Sequence, residues 1–160
     1  MFYTNFTLAK IKFSIKSTSK GIESLDMNRN EPPPSGYKKL NPNAPEFFGL
    51  YGQLKEYFAG TRKQFDVPLD ITVGTDFQKK VWKSLQKIPF GKMISYKQLA
   101  VKTGRPNAYR AAGSANGKNP LAVIIPCHRV INADGSIGGF SCGVEIKYIL
   151  LELEKKYSAK

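Results

Sequence analysis

The chain has 160 residues, enough for one good-sized hydrophobic core or two small ones, and its aliphatic and aromatic content should let it fold without metal or disulfide help. Two cysteines and one histidine exclude a disulfide framework and a zinc site built only from those residue types, and they read as a reducing, intracellular setting. With 25 Lys and Arg against 12 Asp and Glu the net charge is +13, which favours a polyanionic partner, most simply nucleic acid, or else is only a soluble Lys-rich surface.

No run is long and apolar enough to span a bilayer, and no segment pairs a basic face with an apolar Trp/Phe face, so no membrane partner is expected. Met1 to Asn5 is not followed by the apolar core of a signal peptide, and no internal repeat is present. Residues 1 to about 30 alternate like strands. Ile11, Phe13 and Ile15 share one face, Lys12, Ser14 and Lys16 the other, and Thr18-Ser19-Lys20-Gly21 predicts a hairpin turn. Glu31-Pro32-Pro33-Pro34-Ser35-Gly36 is a loop, because consecutive prolines fit neither a helix nor a central strand. From Pro45 to Ala59 the period becomes helical, with Phe47, Leu50, Leu54 and Phe58 on one stripe and Gly60 as cap. No recognisable chemistry lies in this half.

Composition changes near Gly74. Thr75-Asp76-Phe77-Gln78 fits a capping box, opening a helix with Phe77, Val81, Leu85 and Ile88 inward and stopping at Pro89. Ser95-Tyr96-Lys97-Gln98 is a second capping box, for a short helix ending before Gly104. Pro106 then starts a third helix running to about Asn116. Short helices joined by tight turns predict a helix-turn-helix. The third helix is built from Ala108, Ala111, Ala112, Gly113, Ser114 and Ala115, with Tyr109 and Arg110 as bulky exceptions. Such a helix either packs closely on its neighbours or presses against a DNA groove. The chain's charge favours DNA, and a slim helix would fit even the narrow minor groove.

The apolar run Leu121-Ala122-Val123-Ile124-Ile125 leads into Pro126-Cys127-His128-Arg129-Val130, which sets a thiol beside the sole histidine. A thiol is a weak nucleophile until deprotonated, and imidazole is a common base for it. Neighbours in an extended segment point to opposite sides, so the pair needs a bend, which Pro126 can supply, or a bridging water. A last helix is predicted from Gly143 to Tyr157, with Val144, Tyr148, Leu150 and Leu151 apolar and Glu154 continuing that face, while Glu152 is solvated. A carboxylate on an apolar face needs a partner. Lys147, Arg129 or His128 could each serve, and only His128 would complete an acid–imidazole–thiol relay.

The order of short motifs Gly74-Thr75, Phe77-Gln78, Val81-Trp82, Ile88-Pro89-Phe90-Gly91, Ser95-Tyr96, Arg110-Ala111, Gly113-Ser114-Ala115-Asn116, Asn119-Pro120 and Ile125 to Val130 resembles the O6-alkylguanine-DNA alkyltransferases, also called methylated-DNA–protein-cysteine methyltransferases. The resemblance covers about residues 74 to 157, and the first half corresponds in general shape to that family's variable amino-terminal domain. It implies an α+β protein: residues 1–70 a small mixed α/β domain with an antiparallel sheet, residues 71–160 a mostly helical domain that binds DNA and accepts the alkyl group.

It further implies direct-reversal repair without cofactor or metal. Cys127 would accept an alkyl group from O6 of guanine, and O4 of thymine is a second candidate. The transfer would be irreversible, each molecule acting once on a base flipped out from the minor groove. His128 would be the base, acting through water, and Glu154 would orient it. Asn119 would brace the active-site turn. Tyr96 would contact the flipped base and supply a proton, with the Val130 backbone and Ser141 also reading the guanine. Arg110 would fill the hole left in the stack, with Tyr109, Ala111, Gly113, Ser114 and Asn116 completing the DNA face. The implied partner is double-stranded DNA carrying O6-alkylguanine, met by a monomer with room for cooperative binding, in the cytoplasm (or the nucleus of a eukaryote).

Three residues depart from the family pattern. Asp76 replaces a frequent proline, with little consequence expected at a helix start. Tyr109 replaces a smaller residue. Cys142 replaces an aromatic residue in the substrate loop, where it either widens the pocket or pairs with Cys127 under oxidation. Two other readings remain open at this point: an alkyltransferase-like DNA-binding module, which would lack the acceptor cysteine, and a Cys-His thiol hydrolase, which would turn over repeatedly.

Overall fold

The computed structural model describes residues 1–29 and 31–158 and divides the chain into two compact units, Met1–Thr72 and Val73–Lys160. In the first, β1 (Phe2–Leu8), β2 (Ile11–Thr18) and β3 (Gly21–Met27) form an antiparallel meander. A two-residue turn joins β1 to β2, with Ala9 and Lys10 both at positive φ, the primed-turn geometry that matches strand twist. The sheet is mixed, not purely antiparallel: β4 (Lys38–Lys39) pairs parallel to β1 and completes the order β3-β2-β1-β4. The predicted alternation holds along β2, where Ile11, Phe13 and Ile15 are buried and Lys12 is exposed.

The predicted continuous helix from Pro45 to Ala59 is broken. A single 3₁₀ turn, Pro45–Phe47, is followed by Phe48 and Gly49, both in the left-handed region, and only then by α1 (Leu50–Phe58). The break lets Phe47, Leu50, Leu54 and Tyr57 all be buried, whereas Phe58 is only partly covered. Gly60 does close α1. Its N–H donates to Tyr57 O and that of Thr61 to Glu56 O, which satisfies two terminal carbonyls in a Schellman arrangement.

The second unit holds the helices. α2 (Asp76–Leu85) and α3 (Tyr96–Lys102) each open with a complete capping box, Thr75 with Gln78 and Ser95 with Gln98. α2 ends at Leu85, one turn before Pro89, and residues 86–88 continue as turns that still bury Ile88. α4 (Tyr109–Gly117) begins at Tyr109 rather than Pro106, which belongs to the preceding turn. α3 and α4 pack on each other and on α2 in the order of a helix-turn-helix. β5 (Ile94–Ser95) pairs parallel with β6 (Val130–Ile131). α5 (Val144–Ser158) buries Ile146, Lys147, Leu150 and Glu154, while Val144 and Tyr148, two of its apolar positions, are exposed. Among the described residues no helix is long and apolar enough to cross a membrane.

Candidate active site

The run before Cys127 is a pair of tight turns rather than a strand. Ile124 N–H reaches back to Ala122 O at 2.9 Å across Val123, whose φ of 71° is strained for a β-branched residue. Cys127 N–H reaches Ile125 O at 2.8 Å across Pro126, whose φ −80° and ψ 66° form an inverse γ-turn. Asn119 clamps the first turn from both ends. Its Oδ1 accepts from Leu121 N at 2.9 Å and its Nδ2 donates to Ile125 O at 2.7 Å. After Pro126 the chain enters a 3₁₀ turn, Cys127–Arg129, so the bend that an adjacent thiol and imidazole require is present.

Cys127 is 3% exposed and lines a cavity of about 160 Å³ together with Tyr96, Gly113, Asn116, Gly117, Gly139, Phe140 and Ser141. Burial pushes its thiol up to about 12, against the pull of the Asn119 side chain and the Lys147 charge. At neutral pH it therefore rests as a thiol and needs a base. His128 is fully buried, and burial lowers its pKa, so the ring is neutral. Its Nε2 lies 2.6 Å from Glu154 Oε2. Burial alone would raise the Glu154 carboxyl, but the bonds from His128 and Arg129 outweigh it and hold the group well below the usual carboxylate range. A charged carboxylate accepts only, so Nε2 must carry the imidazole hydrogen. Nδ1 is then a free lone pair, and it is buried with no hydrogen-bond partner from the protein.

Glu154 serves two of the three partners open to it. Arg129 donates from Nε to Oε1 at 2.8 Å and from an Nη to Oε2 at 3.0 Å, alongside His128 on Oε2. The N–H of Gly91 also donates to Oε1 at 3.2 Å. Lys147 does not take part. Its Nζ donates to Val130 O at 2.7 Å and Gly139 O at 3.1 Å.

The Tyr96 ring is wedged between two glycines. A Cβ on Gly113 would come within 3.3 Å of it, and one on Gly138, at φ 75°, within 3.2 Å. Burial, then proximity to Cys127, raises the Tyr96 hydroxyl. Tyr96, Tyr109, Arg110 and Gly113 also line an adjoining groove of about 380 Å³ with Lys97 and Asn132. α4 resolves the two readings of its small residues by face: Ala112 and Ala115 are buried, with Trp82 Nε1 donating to Ala115 O at 2.8 Å, while Arg110, Ala111 and Ser114 are exposed. Asn116, expected on the DNA face, is instead buried, its Nδ2 donating to Cys127 O at 3.3 Å, because its place on the helix points at the active-site turn. Val130 is buried and its carbonyl already accepts from Lys147. Cys127 and Cys142 are not joined in a disulfide. Among the described residues no group of three His, Cys, Asp or Glu side chains could hold a metal ion.

Residues 76–156 match the DNA-binding domain of 6-O-methylguanine DNA methyltransferase, and residues 12–71 match the ribonuclease-like domain of the same proteins. A methylated-DNA–protein-cysteine methyltransferase of Methanosarcina barkeri is 53% identical over 147 residues, covering 88% of this chain and 89% of that relative. The chain belongs to the 6-O-methylguanine DNA methyltransferase family. Among solved structures, Mycobacterium tuberculosis OGT in complex with DNA superposes with a TM-score of 0.89 at 40% identity, over 98% of this chain and 94% of that one. The Pyrococcus kodakaraensis O6-methylguanine-DNA methyltransferase, at 22% identity and a TM-score of 0.70 over 96% and 99% of the two chains, shares the fold.

Sequence reasoning missed the Gly139-Phe140 wall of the cavity and the inward Lys147. The first had a signal in the glycine pair beside Ser141. The second had one in its spacing, since Lys147 stands on the same helical stripe as Leu150 and Glu154.

Proposed function

We propose that Cys127 is the atom-accepting residue of this DNA repair methyltransferase, and that it takes the alkyl group from O6 of guanine in double-stranded DNA. The activity is direct repair of O6-methylguanine. The observation that carries the assignment is the Cys127 thiol in a small cavity with Tyr96, backed by the buried His128–Glu154–Arg129 cluster.

In this reading a water carries the thiol proton to His128 Nδ1, and the imidazolium that forms is stabilised by Glu154, itself held charged by Arg129. The thiolate attacks the alkyl carbon, a new S–C bond forms, and the C–O6 bond breaks. The electron pair stays on guanine, which takes a proton from the Tyr96 hydroxyl. A thioether does not hydrolyse readily, so the protein is consumed in one turnover. The target atom lies inside the duplex, so the nucleotide must be extruded at a cost of a few kcal/mol. Arg110, exposed at the start of α4, fills the vacancy with its planar charged group. Tyr109, Ala111, Gly113 and Ser114 line the approach to the minor groove, and Ser141 and the Val130 backbone face the guanine. Asn119 and Asn116 act by holding the turn that carries Cys127. O4 of thymine is a second substrate in this reading. The protein works as a monomer in the cytoplasm, or in the nucleus of a eukaryote, with cooperative binding along DNA as a further expectation.

The test is incubation with duplex carrying O6-methylguanine or O6-benzylguanine and mapping of the adduct by mass spectrometry. One alkyl group per protein on Cys127, lost in Cys127→Ala, is expected. Repeated turnover or absence of an adduct overturns the assignment. Arg110→Ala should slow transfer from duplex at least tenfold while leaving transfer from free O6-benzylguanine unchanged.

A further inference from the structure

Among the described residues of Val73–Lys160, two buried side-chain polar atoms make no hydrogen bond within the protein: His128 Nδ1 and Asn116 Oδ1. Both lie at the active-site turn. Asn116 is 4% exposed and donates from α4 through Nδ2 to Cys127 O at 3.3 Å. A carbonyl only accepts, so the amide nitrogen must face it and the amide oxygen is left as an acceptor with nothing to accept. Cys127 O belongs to the peptide that opens His128, so the Asn116 amide, the imidazole and the thiol are all attached to one peptide unit. Asn116 and Cys127 also share the wall of the acceptor cavity. A leucine would fill the place of Asn116 without burying an unmatched acceptor, which costs free energy. A buried water typically makes about three hydrogen bonds to polar groups that otherwise lack partners. The turn offers that set: two acceptors, His128 Nδ1 and Asn116 Oδ1, and one donor, the Cys127 thiol.

We infer that Asn116 is a positioning residue for the proton transfer: its Oδ1 holds one hydrogen of the water that links Cys127 to His128, which aims the other hydrogen at Nδ1 and a lone pair at the thiol. The inference rests on the reading of Cys127 as acceptor and His128 as its base. The S–H bond breaks as the thiol proton joins the water oxygen, and the water's O–H bond toward the ring breaks as that proton joins Nδ1. One proton has then moved from sulfur to nitrogen. A thiolate, an intact water and an imidazolium facing Glu154 Oε2 remain. The hydrogen held by Asn116 does not move. Without that hold the water turns freely, and few of its orientations join sulfur to nitrogen. The Nδ2 bond to Cys127 O is a separate, bracing role, and the test has to tell the two apart.

His128 is the only histidine, so its two ring nitrogens give one unambiguous pair of nitrogen-15 signals. In the native protein Nδ1 should resonate as a lone pair that accepts a hydrogen bond. In Asn116→Leu it should move by several ppm toward the position of a bare lone pair, while Nε2, held by Glu154, stays in place. Single-turnover transfer from O6-benzylguanine DNA should slow at least tenfold. In a His128→Gln background, which keeps a donor for Glu154 but has no base to serve, the same change should slow the residual transfer less than twofold, because two members of one relay are not additive. A residue that only braced the turn would slow transfer equally in both backgrounds and leave the Nδ1 signal where it was, and either result overturns the inference. Asn116→Met, also without an amide oxygen, takes the place of Asn116→Leu if the latter does not fold. A native Nδ1 signal already at the bare position overturns the inference with no variant at all. The ring signals are read without substrate. Failure of the native protein to take a benzyl group from O6-benzylguanine DNA overturns the acceptor reading instead, so the two failures are distinct.

Discussion

In Met1–Thr72 the fully buried side chains are Phe13, Ile15, Ile22, Leu25, Met27, Phe47, Leu50, Leu54 and Tyr57 with the uncharged Thr4 and Ser17, and the charged partners of the pairs Thr18–Asp70 and Tyr37–Glu23 lie at part-buried positions. In Val73–Lys160 the same depth holds His128, Lys147 and Glu154, with Arg129 buried beside them at 7% exposure. Charges in a low-dielectric interior cost several kcal/mol each unless paired and bonded, and apolar residues of similar size would often be at least as stable. Among the described residues the first unit is thus organised as a fold whose charged groups are peripheral. The second gives up part of its stability to keep a charged cluster in place, and the cluster sits beside the one buried thiol.

The sharpest way to break this contrast is Glu154→Leu. It leaves the Arg129 guanidinium buried without its carboxylate and His128 without its orienting partner, and should cost about 3–5 kcal/mol. Trp82 is the only tryptophan and is buried in the second unit, so its fluorescence in urea reports the loss. Phe13→Ala in the first unit should cost a similar ~3–5 kcal/mol through a cavity, but that loss should not vary with pH. The Glu154 loss should. The folded carboxyl lies below its unfolded value of 4.5, so its contribution is full above 4.5 and fades as pH falls. His128, lowered from 6.5, adds a second decline below 6.5, since unfolding then takes up a proton. Tyr37 in the first unit is raised to about 12 by its bond to Glu23, so its contribution is full below 10.0 and is lost as pH rises from there to 12. On acid titration Trp82 fluorescence should change at a higher pH than amide protection in β1 to β3. Coincident transitions would remove the distinction between the units.

Asn119→Ala is the next largest effect. It removes both side-chain bonds that clamp the strained Val123 turn, so that Leu121 N loses its acceptor and Ile125 O keeps only the Cys127 N–H, at about 1–3 kcal/mol. Because that turn feeds Pro126 and Cys127, single-turnover transfer should fall about tenfold even at a temperature where the variant is fully folded. A variant that loses stability but transfers at the native rate would make Asn119 only a brace.

What the sequence made legible was local or carried by family motifs. Both capping boxes are four-residue patterns that close on themselves, and the alternation of β2 is set by one sheet face. Cys127, His128 and Glu154 were readable through motif order. The rest depends on partners distant along the chain. Phe48 and Gly49 break the predicted helix because Phe47 and Leu50 must both be buried. β4 pairs parallel to β1 after a proline-rich loop whose path no local pattern gives. Asn116 turns inward because Cys127 O lies below it, and Lys147 because two loops offer it carbonyls. Val144 and Tyr148 mislead in the opposite sense: apolar residues on α5 that stay exposed while a lysine takes the interior.

The smallest effects separate scaffold from site inside the second unit. Thr75 and Ser95 cap α2 and α3 in the same way, each accepting from the backbone three residues on at 3.1 and 3.0 Å. Replacing either with alanine should cost about 1 kcal/mol, which for a unit of this size is a fall of about 4–8 °C in Tm. The two should differ in chemistry. Ser95 pairs with Ile131 in the β5–β6 ladder and directly precedes Tyr96, so Ser95→Ala loosens the residue wedged between Gly113 and Gly138 and should slow transfer a few-fold. Thr75→Ala leaves that wedge alone and should transfer at the native rate. Calorimetry and single-turnover kinetics on the pair check this, and equal slowing in both would mean that the rate follows the stability of the helices rather than the seat of Tyr96.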